Sequence, residues 1–213
     1  MRRPERAEAN ITGDEHCCPG LEPGSAATLI ALLREEPWLC RALTAAAASG
    51  LPDAWIGAGA LRDVVWGQRH GRFNPAEVND IDVAFFDPGW QGRERDLQAQ
   101  VALAGLAELP WEATNQAAVH TWYHTYFGGA PVPPFASVHE AVATWPETAT
   151  CVAVRQRPGD GELEVCAPYG LADLLGGIWR ANPVRVTPDI SMARLARQRV
   201  RARWPGVTIV PPG

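Results

Sequence analysis

Two short runs carry side chains whose types and spacing suit phosphate chemistry. NDIDVAFFD, residues 79–87, alternates acids with apolar residues. Residues two apart on a strand point the same way, so Asp80 and Asp82 present their carboxylates together while Ile81 and Val83 face the other side. Unpaired buried carboxylates are costly, so such a pair either faces water or holds a cation. Oxygen-only ligands suit a hard ion, Mg²⁺ or Mn²⁺, which keeps waters and completes its shell with substrate phosphates. GAGALRDVVW, residues 57–66, places bare glycines where a buried strand turns into a helix. At such a turn Gly59 lets the backbone approach a ligand, and the N–H groups of Ala60 and its successors point outward with the positive end of the helix behind them. Gly57 serves the same approach or the close packing of strand on helix. One run offers a place for phosphate, and the other a place for the metal that bridges phosphates.

A third acid would help hold two metals in line with a phosphoryl group. Glu112, between Trp111 and Ala113, and Glu164, within LEV, share the same apolar-acid-apolar setting. Glu112 is preferred, because a strand that follows a right-handed crossover helix lies in the same sheet, near the acid pair.

Positioning these groups requires alternating strands and helices. Helical spacing predicts a first helix over 25–36 with Ser25 as N-cap, and Pro37 opens a second that stops at Gly50. DAWIGAG (53–59) reads as a short buried strand, ALRDVVWGQ (60–68) as a helix, and 67–79 as a loop. DIDVAFF (80–86) is a strand, 93–109 an amphipathic helix closed by Pro110, and WEATN (111–115) a third strand. This alternation predicts an α/β (α+β) chain with a small mixed sheet flanked by helices. Beyond it, ATCVAVRQ and ELEVCA flank RPGDG as a hairpin, while 169–179 and 189–204 read as helices. The organisation expected is a disordered arm over 1–22, one domain over 23–205 and an extended tail over 206–213.

The 213 residues, 46% hydrophobic and 20% charged, suit a soluble globular protein. No apolar run approaches the length of a membrane span, and the N-terminal stretch has no secretory apolar segment. All 19 basic residues are arginine, which excludes P-loop and Schiff-base lysine chemistry. A net charge of −5 argues against a broad nucleic-acid surface. The five cysteines form no C-x-x-C pair, which favours reduced thiols and a cytoplasmic location without membrane association.

Further candidates surround the two runs. Arg62, beside Asp63 on the helix after the turn, could pair with phosphate or form a surface ion pair. Asn115, Gln116 and His120 follow the third strand and could read a base or ribose, with Asn115 equally suited to be an N-cap. His120 and His124 share a helix face at metal-ligand spacing, but no third ligand stands beside them. His16, Cys17 and Cys18 are a weaker metal candidate. Arg194, Arg197, Arg199, Arg201 and Arg203 of 189–204 read as a solvated charged face, or else as a grip on RNA or nucleotide phosphate.

The turn and acid motifs together resemble the minimal nucleotidyltransferase fold shared by DNA polymerase β and the CCA-adding enzymes. GALRD is similar to the GGAVRD signature of the latter. GALRDVVW, NDIDVAFFD, WEATNQAAVH, WPETAT, APYGLADLL and RANP, in that order over residues 30–205, resemble a bacterial nucleotidyltransferase-like family. The resemblance implies divalent-metal-dependent transfer of a nucleoside monophosphate from an NTP, with ATP expected, to a hydroxyl acceptor of unidentified class: small molecule, tRNA or protein. It implies Asp80, Asp82 and Glu112 as metal-binding catalytic acids, Glu112 helping to activate the acceptor. Gly57, Gly59, Ala60, Arg62, Asn115, Gln116 and Arg180 would then form the nucleotide site. Ala60 stands where the superfamily has Ser or Gly, which keeps the backbone N–H but loses a hydroxyl contact. That departure sustains an alternative, a nucleotide- or partner-binding module with weak or no catalysis. A D-x-D glycosyltransferase explains the acids but not the glycine turn, and an aspartyl phosphatase fits poorly, because its acid pair would end the first strand without a preceding turn.

Overall fold

The computed structural model describes residues 21–127, 131–184 and 186–211. Of the arm expected over 1–22, residues 1–20, with His16, Cys17 and Cys18, lie outside these, while Leu21 packs on the core and Glu22 precedes α1. In chain order the elements are α1 (Pro23–Arg34), α2 (Pro37–Ala48), β1 (Trp55–Gly57), α3 (Gly59–Arg69), β2 (Ile81–Phe85), α4 (Glu94–Leu106), β3 (Trp111–Asn115) and α5 (Val119–Phe127). There follow α6 (Val138–Val142), β4 (Ala153–Gln156), β5 (Leu163–Cys166), α7 (Ala172–Gly176), β6 (Ile178–Arg180), α8 (Pro188–Arg197), α9 (Val200–Arg203) and β7 (Thr208–Val210). No helix among the described residues is long and apolar enough to cross a membrane.

Five strands form a mixed sheet in the order β3-β2-β1-β4-β5. The crossover through α4 makes β2 and β3 parallel, and the other neighbours are antiparallel. In this register Asp82 lies opposite Glu112 on one side and Gly57 on the other. Alternation along β2 sends Ile81, Val83 and Phe85 into the main core with Leu29, Leu61 and Trp66. On the opposite face Ala84 packs into a smaller cluster with Trp55, Val138, Val142 and Cys151. That second face carries the acids.

Several elements depart from the sequence reading. The N-cap of α1 is Glu22, not Ser25. The segment read as one helix over 169–179 is α7, a left-handed turn at Gly177 and then β6. β6 pairs in parallel with β7, which is the expected extended tail. The helix read over 189–204 breaks at Arg199, whose φ is +50°. α4 forms but buries only Asp96, Ala99 and Leu103, leaving Leu97, Val101 and Leu106 exposed.

The turn between β1 and α3 is tight. Ala58, its N-cap, has φ +56° and ψ −124°, a conformation that only glycine adopts freely. Val152 O holds the loop by accepting from Ala58 N–H at 3.1 Å. Replacing Ala58 by Gly is expected to relieve strain and stabilise the fold by about 1 kcal/mol, after the larger chain entropy that glycine loses on folding. A urea titration checks this, and an unchanged or lower midpoint would show that the turn bears no strain.

Candidate functional site

A cavity of about 650 Å³ opens where β2, β3, the start of α3 and α8 meet. Asp80, Asp82 and Glu112 line it together, with Ala58, Gly59 and Ala60 of the turn. Register places Asp82 and Glu112 side by side on the two parallel strands, and Asp80 stands just before β2. Glu164 is on β5, paired with Arg155 and turned to other partners. Of the two rival third acids, the cavity therefore contains Glu112.

The acids act on one another. Burial first, then the charges of Asp80 and Glu112, push Asp82 up to about 7, against the Gly59 N–H that it accepts and the nearby Arg62. Burial and Asp80 likewise raise Glu112, with Arg93 opposing them. Asp82 and Glu112, whose ionisation burial and the Asp80 charge oppose, form with Asp80 an all-oxygen set whose charge a divalent cation would relieve. Among the described residues no three His, Cys, Asp or Glu side chains stand close enough to form a ready-made cage.

The turn glycines have different tasks. A Cβ at Gly57 would lie 2.6 Å from two ring carbons of Trp145 and 2.8 Å from the Val152 carbonyl oxygen. Gly57 is absent from the cavity wall, and its bareness admits the Trp145 ring. Close packing against Trp145, not contact with the cavity, is what needs glycine there. A Cβ at Gly59 would approach only Arg62 Nη2, at 3.6 Å, so no protein atom demands glycine there. The space it leaves faces the cavity.

Other expected ligand residues divide. Gln116 lines the cavity and donates to Thr114 O at 3.2 Å. Asn115 does not line it: its side chain is buried, accepts from Asp87 N–H and Ala117 N–H, and donates to Asp87 O and Trp90 O. It caps the turn after β3 and ties it to the end of β2, which satisfies all its polar atoms and leaves none for a base. Arg180 is also removed from the site: it is largely exposed and paired with Asp173 at 2.9 Å.

Arg62 lines the cavity, yet it is buried and its pairing is internal. Its Nε and Nη2 donate to Asp63 Oδ1 at 2.9 and 2.6 Å. The guanidinium sits among the rings of Trp66, Trp179 and Trp204, 5.2–5.9 Å from their centroids. The other Asp63 oxygen accepts from Arg203 at 2.7 Å.

α8 contributes more to the cavity than a solvated charged face would. Arg194, Arg197 and Gln198 line the cavity, whereas Arg203 serves Asp63. The readable signal was the i, i+3 spacing of Arg194 and Arg197, which puts both on one face of a helix. Trp122, Tyr123, Phe135, Thr144, Trp145 and Thr150 complete much of the wall. His120 and His124 join no metal-binding group among the described residues.

A family model described as nucleotidyltransferase matches residues 44–209. No curated protein matches the chain. One solved structure, reported to reveal a CCA-adding enzyme head domain, superposes with a TM-score of 0.71 at 26% identity over 87% of this chain and 96% of that one. The Thermotoga maritima CCA-adding enzyme complexed with tRNA gives 0.50 at 15% identity, over 84% of this chain and 42% of its own. A CCA-adding enzyme in its apo form II gives 0.51 at 16% identity, over 84% and 44%. The chain spans less than half the length of these two enzymes, and at such identities the likeness is one of fold.

Proposed function

The chain belongs to this nucleotidyltransferase family, and from that premise we propose that its cavity transfers a nucleoside monophosphate from an NTP to a hydroxyl acceptor with the help of Mg²⁺ or Mn²⁺. The observation that carries this reading is the convergence of Asp80, Asp82 and Glu112 beside the N-terminus of α3. ATP is the first NTP to test, and the cytoplasm, where NTP and Mg²⁺ are plentiful, is the setting proposed.

Asp80 and Asp82 would hold the divalent cation, with Glu112 beside them. Bound there, the cation would neutralise charge around the α-phosphate and lower the pKa of the attacking hydroxyl. The N–H groups that open α3 would hold phosphate oxygens, aided by the positive end of the helix. Gly59 N–H, which Asp82 accepts in this structure, ties this turn to the acid pair. The acceptor oxygen forms a bond to the α-phosphorus as the bond to the bridging oxygen breaks and pyrophosphate leaves. Glu112 is suited to take the acceptor's proton, because burial and Asp80 make it a stronger base than an ordinary glutamate. Ala60 supplies its backbone N–H but no hydroxyl, a loss worth about tenfold in rate and not extinction.

The test incubates the protein with each α-labelled NTP, Mg²⁺ or Mn²⁺, and separate tRNA, small-molecule and protein fractions. Label is expected in one fraction, and its appearance should need the divalent ion. The metal-dependent rate should fall as the pH is lowered, and fall less at higher Mg²⁺, because a proton on the buried Asp82 competes with the cation. Nucleotide binding without label in any fraction would favour the binding-module reading.

A further inference from the structure

Resting on the nucleotidyl-transfer reading, we propose that Arg194 and Arg197 of α8 form a clamp for the distal phosphates of the bound NTP. α8 is built to hold a fixed position: Thr187 caps it, while Ser191 and Leu195 bury its inner face. Arg194 and Arg197, one turn apart, line the cavity that also holds the acids. The acids would take the cations around the α-phosphate. The outer phosphates then need positive charge from elsewhere.

Arg194 is prepared for this. Its Nε and Nη2 donate to the two carboxylate oxygens of Glu147 at 2.6 and 3.1 Å. Glu147 is only 1% exposed and also accepts from Thr150 Oγ1 at 3.2 Å, so it is a rigid post. A guanidinium has five N–H donors, and Glu147 takes two of Arg194's. Arg194 also lies close enough to Asp82 to be influenced by its charge, which places it within the same site. Arg197 makes no ion pair among the described residues.

Among the described residues that line the cavity, the one other arginine is committed. Arg62 is enclosed by three indoles and Asp63, Arg180 is outside the cavity, and the chain contains no lysine. Two guanidinium forks on one helical face suit the paired oxygens of adjacent phosphates better than ammonium groups would. Glu147 acts through Arg194 and is a positioning residue.

The experiment measures binding of ATP, ADP, AMP and inorganic tripolyphosphate, each with Mg²⁺, to the full chain by calorimetry. The parent is expected to hold ATP at least tenfold more tightly than AMP. Arg197→Ala should weaken ATP and tripolyphosphate on the order of tenfold or more and leave AMP unchanged. Arg194→Lys keeps the charge beside Glu147 but loses the fork, and should act in the same direction. If Arg194→Lys does not fold, the exposed Arg197→Ala decides. Equal losses for ATP and AMP would mean general damage and overturn the clamp, as would a parent that binds the three nucleotides alike. A protein that transfers no label, yet loses its preference for ATP over AMP in Arg197→Ala, keeps the clamp and refutes the transfer reading instead.

Discussion

Asp82→Asn is expected to abolish metal-dependent transfer while making the free protein more stable at pH 8. The functional loss should be on the order of a thousandfold, because the charge stabilisation a bound metal supplies is worth several kcal/mol. The gain in stability follows from the raised pKa. The folded carboxyl titrates near 7 and an ordinary one near 3.8. Below the lower value both states hold the proton and Asp82 costs nothing. Between the two, the unfolded chain has ionised and the folded chain has not, so stability falls as pH rises. Above 7 the loss is complete and constant. An amide removes it, and the melting temperature at pH 8 should rise by roughly 5 °C, with the gain shrinking towards pH 4. Calorimetric melts across that range, run beside the labelling assay, check both halves. A variant that melts like the parent at pH 8 and still transfers label would return Asp82 to the status of a wet strand residue.

Glu112→Gln is expected to cost a hundredfold or more in transfer, whereas Glu164→Gln should leave the rate at the parental level. The amide keeps the shape of Glu112 but cannot accept the acceptor's proton. Glu164 lies elsewhere on the sheet, engaged with Arg155. Single-turnover transfer measured against pH separates the roles: the parent's rate should rise with the ionisation of Glu112, and that limb should vanish in Glu112→Gln. Parental activity in both variants would refute the third-acid mechanism.

What was legible in the sequence was local. WEATN is bounded by Pro110 and a capping Asn, and the strand runs over those five residues. Pro37 sets the first turn of α2. The alternation in NDIDVAFFD put the acids and the core residues on opposite faces, and the sheet places them so. What could not be read depends on partners far along the chain. YGLADLLGGIW has helical spacing, but Ile178–Arg180 becomes a strand because Thr208–Val210 pairs with it. Arg62 and Arg180 both read as candidate phosphate ligands, but tertiary structure surrounds one with indoles and leaves the other outside the cavity, paired with Asp173. Asn115 was ambiguous because the amide that caps a turn is also one that could read a base. Gly57 looked like part of a ligand turn because the Trp145 ring that needs its space comes 88 positions later.

The Asp63 bridge has a consequence for the order of assembly. It joins Arg62, one residue away, to Arg203, 140 positions downstream, and the indole of Trp204 covers the same guanidinium. Helix α3, whose first turn borders the acids, therefore lacks part of its final surroundings until residues 203 and 204 have been synthesised. On the ribosome the acids and the turn emerge first, while their supporting arginine waits for the last stretch of matched chain. Contacts spanning so many residues form late, because closing a long loop costs entropy before it is rewarded. The nascent chain thus holds its carboxylates and its turn before it can hold the finished pocket.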